Sequence, residues 1–263
     1  MRAAPDRVLR LHPGLDVRIH PHGASQVAVQ AAKDAVGKAF SDASPAILER
    51  LANIRLDVHI VPRGTRFSDV GLDLWKGPTE PGLDPNADVR VGGVTDPDFR
   101  VIGSDGSVEP GWAQPLYQVA MTTPLAGRIG IREEYFSGPF RCGDAVHEIA
   151  HFLMFAALTN DQRGDMMDAF AERTMKGGPW LRPHAIEDVL EYFAEGATAF
   201  EQVPPPSTDV DVQRYTRAWL AANDPKLYLL LRSVYSRAER GVSAPNSGGD
   251  GGVPALATPG QVA

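Results

Sequence analysis

At 263 residues the chain is long enough to bury a sizeable core. Its 43% hydrophobic and 22% charged residues are a globular balance, which excludes a fibrous or wholly disordered protein. A formal net charge of −7, with Lys and Arg scattered along the chain, offers no basic stripe for a phosphate backbone, so nucleic acid is not an expected partner. The single cysteine, Cys142, excludes an internal disulfide framework and cysteine-based zinc sites, so any metal must be held by His and carboxylates.

The first twenty residues carry Arg2, Arg7, Arg10 and Arg18 between short apolar pieces, so neither a secretory leader nor a membrane span is expected. The expectation is a soluble, cytoplasmic, monomeric chain, with export by a non-classical route left open. HPH at 20–22 looks like a metal pair, yet the intervening proline and the lack of partners favour an exposed loop. Residues 24–40, ASQVAVQAAKDAVGKAF, place apolar residues at helical spacing, and Ser44 with Pro45 caps a second short helix reaching about Ala52. IRLDVHIV, 54–61, alternates apolar and polar residues and predicts a strand.

From Pro62 to about Gly127, Pro, Gly and Asp dominate, which predicts hairpins and ordered loops. Within this segment Asp84, Asn86 and Asp88 open like a calcium loop. The glycine needed at its sixth position is absent, since Val89 and Arg90 follow, and Thr95 stands where the loop needs glutamate. GRIGIREEYF, 127–136, resumes a strand pattern and ends at Ser137, Gly138 and Pro139. Helical patterns then cover about 144–158, 161–176, 184–201, 209–222 and 225–240. This order predicts an α+β fold: one domain over 1–241, with an N-terminal α+β lobe (about 1–158) packed on a C-terminal helical lobe (about 159–241). The tail, 242–263, has too little apolar content to pack and reads as disordered.

The segment AVHEIAHFLM, 145–154, carries the chemistry. His147 and His151 lie one helical turn apart and project from the same face, with Glu148 about 100° round the helix. This is the HExxH arrangement. Two neutral imidazoles bind Zn2+, a third ligand comes from elsewhere, and the open position holds a water. Glu148 stays off the metal and acts as general base, passing the proton on to the leaving nitrogen. Shuffling this composition would produce HExxH in about one chain in a hundred, so the context counts. Val146, Ile149, Phe152, Leu153 and Phe155 make the helix apolar, and unpartnered imidazoles and a carboxylate there would be costly. The plainer reading is a pair of core histidines satisfied by carbonyls.

LEYFAEGATAFEQ, 190–202, offers Glu191 and Glu195 one turn apart as the third ligand. One carboxylate leaves the ion a net positive charge with which to activate water, and a second would reduce it. The other glutamate is better used to receive a ring N–H from a ligand histidine. The plainer reading is an amphipathic helix with solvated acids.

HEIAH followed some forty residues later by EYFAEGATAF resembles the catalytic domain of the anthrax lethal factor and the proline-proline endopeptidases, whose pattern is HExxH followed by a helix beginning E-F-F-A-E. The resemblance implies a zincin-like metallopeptidase fold: a small mixed sheet and an active-site helix packed on the helical lobe. It makes Glu191 the metal ligand and places Glu195 just outside the metal shell. RIGIREEYF is similar to the family's edge strand, which implies a protein or peptide substrate held in extended form along Ile129 to Glu133. NDPKLYLLLRSVY, 223–235, is similar to its closing helix. The likeness spans roughly residues 117–240, and more weakly 24–61.

Two positions depart from the pattern. His184 stands where the family has the tyrosine that stabilises the oxyanion, a role an imidazole N–H is able to fill. Ala150 replaces the usual glycine. HEIAH with a later EYFA is also similar to the Mlc titration factor peptidases. The implied activity is zinc-dependent endopeptidase; the alternatives are an inactive zincin-fold binding module or the protease component of a toxin or effector. Cys142 reads as packing rather than as a ligand, and Trp112 and Trp180 either line a cleft or pack.

Overall fold

The computed structural model describes residues 7–12, 15–70, 72, 93–95, 101–102, 108–109, 118, 125–136, 142–204 and 211–235. The tail, the loop with Asp84, Asn86 and Asp88, and Trp112 lie outside those residues.

The fold is mixed α+β. Strands β1 (Arg7–His12), β2 (Leu15–His20), β3 (Ile54–Val61), β4 (Gly93–Thr95) and β7 (Leu125–Arg132) form one sheet in the order β1-β2-β3-β7-β4, and β5 (Val101–Ile102) pairs with β6 (Val108–Glu109). β2, β3 and β7 run parallel, while β1 and β4 join antiparallel on either side. The crossover from β2 to β3 is built from α1 (Gln26–Asp42) and α2 (Pro45–Arg50). Ser44 caps α2 as the sequence predicts, its hydroxyl accepting from Ile47 N, and Ser25, inside the stretch expected to be helical, caps α1 by accepting from Ala28 N. The alanines of α1, with Val36 and Phe40, form its buried face. β1 and β2 lie in a region where no strand is expected, although LDVRIH alternates by the same rule as β3 and its odd positions are buried.

The apolar face of the sheet packs on helices. Its other face carries Asp16, Arg18 and His20 on β2 beside Arg55, Asp57 and His59 on β3, with Arg18 paired to Asp16 and Arg55 to Asp57.

The expected edge along Ile129 to Glu133 is corrected. Ile129–Ile131 pair with β4, and Glu133 already belongs to a 3-10 turn over Glu133–Phe136. The outermost described strand on that side is β4, three residues too short for any periodicity to reveal.

The helical half consists of α3 (Gly143–Ala157), α4 (Asn160–Lys176), α5 (Val189–Phe200), α6 (Arg217–Asn223) and α7 (Pro225–Val234). The pattern over 184–201 is not one helix. Asp188 is extended, and its carboxylate takes the N–H groups of Leu190 and Glu191, so the chain makes a 3-10 turn over Pro183–Ile186 and restarts as α5. Thr216 likewise splits the pattern over 209–222. Trp180 packs against Phe170 and Tyr192 and lies under Arg173, so it is a core-edge residue. Cys142 also packs against the core, at the N-terminus of α3.

One hydrophobic cluster runs from Leu15 to Tyr235 through both lobes. Polar ties reinforce it: Ser44 N donates to Val234 O at 2.7 Å, and Arg50 caps Ala157 O at 2.9 Å. Among the described residues no helix is long and apolar enough to cross a membrane.

Two contacts make the packing testable. At Gly196 on α5, an added Cβ would stand 2.5 Å from Leu227 Cδ2 and 3.1 Å from Leu227 Cγ on α7. Gly196→Val is therefore expected to lower unfolding free energy by about 1–3 kcal/mol, seen as a lower urea midpoint at unchanged m. Glu201, just past α5, is buried beside Asp42 and 3.1 Å from Lys38 Nζ, and burial followed by Asp42 pushes its carboxyl up to about 7. A carboxyl raised from 4.5 binds its proton more tightly in the folded state, so its contribution is full below 4.5 and lost as pH rises toward 7. Glu201→Gln should flatten the stability profile across that window and exceed the wild type at pH 8.

Candidate metal centre

α3 is buried on every residue except half-buried Asp144. A helix apolar on all sides can sit there, and Val146, Ile149, Ala150, Phe152 and Leu153 have no exposed surface. Its C-terminal carbonyls find partners in Arg163, which binds Phe155 O, and Arg50. The polar groups in its middle are harder to accommodate: His147, Glu148 and His151 are only 6–7% exposed.

α5 crosses α3 at this level and brings two carboxylates. His147 Nε2 lies 3.1 Å from His151 Nε2 and 3.0 Å from Glu191 Oε2, and His151 Nε2 lies 3.5 Å from Glu191 Oε1. His147, His151 and Glu191 thus form one group able to hold an ion, and a second group shares His147 with His184 and Glu195. Despite these short distances, Glu191 Oε2 is buried without a hydrogen bond of acceptable direction. Three imidazoles, His147, His151 and His184, overcome burial and hold the Glu191 carboxyl far below the usual carboxylate range.

Glu195 is differently placed. It is fully buried, and Arg182 Nε donates to its Oε1 at 2.8 Å while Tyr215 Oη donates to its Oε2 at 2.5 Å. Its Oε1 also lies 3.2 Å from His147 Nδ1, the ring nitrogen on the far side from Glu191, though off the line of a hydrogen bond. Burial pushes this carboxyl up, but His147 and Arg182 reverse that and bring it to about 2. Burial also opposes charge on His147, yet Glu191 and Glu195 outweigh it and raise that imidazole well above its ordinary value. The space between these groups favours a positive charge, whether a proton or a metal ion supplies it.

His184 also reaches the cluster. Its Nε2 is 2.7 Å from Glu191 Oε2, its Nδ1 is 2.9 Å from Glu187, and its ring stacks on His147 with centroids 5.7 Å apart. The contact with Glu191 leads, and Glu187 adds to it, in raising His184 to about 9. Glu148 lies on α3 beside His147, buried with it. Asp144, a turn earlier, has one carboxylate oxygen without a hydrogen bond, and burial pushes its carboxyl up to about 7.

All six expected site residues are therefore on α3, on α5 or on the turn before α5, and the distances place His147, His151, His184, Glu191 and Glu195 in one cluster. Sequence reasoning missed Arg182 and Tyr215. A carboxylate in the apolar stretch YFAEGATAF signals that donors must exist, but nothing local says which residues they are. No protein-family profile, curated protein or solved structure matches the chain.

Removing one partner of a buried ion pair leaves a stranded charge. Arg182→Met should destabilise the fold by about 3–5 kcal/mol by chemical denaturation. Tyr215→Phe, which loses one hydrogen bond to a buried carboxylate, should cost about 1–3 kcal/mol.

Proposed function

We propose that the chain is a zinc-dependent endopeptidase in which His147, His151 and Glu191 hold the metal and Glu148 is the general base. The supporting observation is the convergence of both histidine Nε2 atoms and the Glu191 carboxylate, every pair separated by 3.0–3.5 Å. Ligands bonded to one ion at about 2 Å must lie within about 4 Å of each other, and these do. Two imidazoles and one carboxylate match the donor set of a hydrolytic zinc, and the buried Glu191 oxygen without a hydrogen bond gains a partner. When bound, zinc supplies Lewis acidity and makes its water acidic enough to lose a proton near neutral pH.

The chain's own residues do the rest. Glu148 takes the proton of the attacking water and delivers it to the leaving amine nitrogen. Glu195 faces His147 Nδ1 and orients that ring, and Arg182 with Tyr215 keeps the carboxylate from turning toward the ion. Those bonds are why Glu191 is the ligand and Glu195 its support. His184 lies at ion-pair distance from both Glu191 and Glu187, so serving as oxyanion donor requires its ring to turn away from one of them. An extended substrate adds to the outer edge of β4, the strand outside β7, against which α3 also packs. The zincin fold and kinship with the lethal factor and proline-proline endopeptidase group rest on HEIAH and EYFAE, together with the mixed sheet above α3.

A second reading has one observation in its favour. The raised His147 fits a metal-free cluster in which an imidazolium answers both carboxylates, giving a binding module without turnover. Metal analysis separates the two: the endopeptidase reading expects about one zinc per chain and its loss in His151→Ala. Glu148→Gln should keep the zinc and lower cleavage of a peptide library by about 10²–10⁴-fold. A zinc-free protein, or unchanged cleavage in Glu148→Gln, would sink the proposal.

A further inference from the structure

One acid beside the cluster is left without a counter-charge. Asp144 stands one helical turn before His147 and Glu148, so on α3 its side chain shares a face with both, with Cβ atoms about 5–6 Å apart. Its Oδ2 is buried without a hydrogen bond, and among the described residues no Lys, Arg or His makes an ion pair with it. The neighbouring acids are better provided for. Glu191 has three imidazoles around it, and Glu195 has Arg182 and Tyr215.

The guanidinium groups near Asp144 are directed elsewhere. Arg182 donates to Glu195, and Arg132, at the end of β7, donates to Thr65 O and lies over the Phe67 ring. Burial leads in pushing the Asp144 carboxyl up to about 7; Glu148 and Glu195 add to it, while His147 and Arg182 oppose it without reversing it. The space beside this carboxyl is therefore short of positive charge. Tyr135, on the 3-10 turn that follows β7, lies within the same field: burial first, then Asp144 and Glu134, push its phenol up. Its ring is half-buried against the core. A carboxylate lacking a partner and an aromatic ring within electrostatic reach of it are the two groups that recognise an organic cation, the first through a charged hydrogen bond and the second through its negative face.

We propose that Asp144, with Tyr135 beside it, is the specificity-determining element of the site and selects substrates with arginine or lysine next to the scissile bond. The proposal deepens the endopeptidase reading and rests on it. A substrate strand on the outer edge of β4 runs over α3, which packs against β4, and an extended chain turns alternate side chains toward that helix. Glu148 works at the scissile carbonyl, and Asp144 lies one turn, about 5.4 Å, along the helix from it. A side chain of arginine or lysine length on an adjoining residue spans that distance. The arginine fork offers the carboxylate two parallel N–H groups, so arginine is the preferred residue.

The test uses the full chain and end-blocked peptides that differ in one residue beside the scissile bond: arginine, or citrulline, which keeps the shape and replaces the cation with a neutral urea. The wild type should cleave the arginine peptide with kcat/KM about 10–100-fold above the citrulline peptide. In Asp144→Asn that ratio should fall to about one, with zinc content and urea midpoint unchanged. Tyr135→Leu should keep the preference and reduce it several-fold. A second measurement needs no turnover: N-acetylarginine amide, titrated into the chain as purified and followed by NMR, should shift the Tyr135 ring signals, and both the citrulline analogue and the Asp144→Asn variant should fail to reproduce the shift. Equal cleavage of the two peptides by the wild type, a ratio unchanged in Asp144→Asn, or no response to the arginine probe overturns the proposal. Probe binding that depends on Asp144 in a chain that cleaves nothing leaves the cation site standing and sinks the endopeptidase reading alone.

Discussion

A helix buried on nearly every side cannot carry two imidazoles and a carboxylate unless something else in the fold answers them. Here the answer comes from α5, whose Glu191 and Glu195 address the two nitrogens of one ring, His147. Most of the helical half can be understood as the means of holding α5 at that distance. Asp188 stops the preceding turn so that α5 begins just before Glu191, Arg182 and Tyr215 fasten Glu195, and α7 packs on Gly196. The cluster is thus one interaction with structural and chemical consequences that cannot be varied independently.

The two glutamates illustrate how the same residue type takes opposite roles. Glu191 is partly open and is surrounded by three imidazoles, while Glu195 is sealed in and bound by a guanidinium and a phenol. Both are held ionised, but only Glu191 faces both HEIAH histidines. Environment, rather than distance along α5, separates them.

What could be read from the sequence was whatever depended on short-range spacing. The cap Ser44, the strand Ile54–Val61 and the shared face of His147 and His151 all follow from intervals of two to four residues, and each is present in the fold. The misses share a different cause. Asp188 looks like one more acid on a helix surface until its carboxylate is seen taking two backbone N–H groups. β4 is too short to announce itself, and it is β4 that covers Ile129–Ile131. Arg182 and Tyr215 lie 13 and 20 residues from Glu195, and His59 lies 37 from His22, so only tertiary structure brings each to its partner. The alternation in LDVRIH was available and marks β2 by the same rule as β3.

The contact at Gly196 has a bearing on evolution at this site. Leu227 and Leu231 of α7 press into the space left by the absent side chain, and they thereby set how deeply α5 seats against its neighbours. A change in the bulk of either would press on or release the backbone of the helix that bears Glu191. Selection for a tighter or looser grip at the centre can therefore act on aliphatic positions in the last described helix, leaving every chemically active residue untouched.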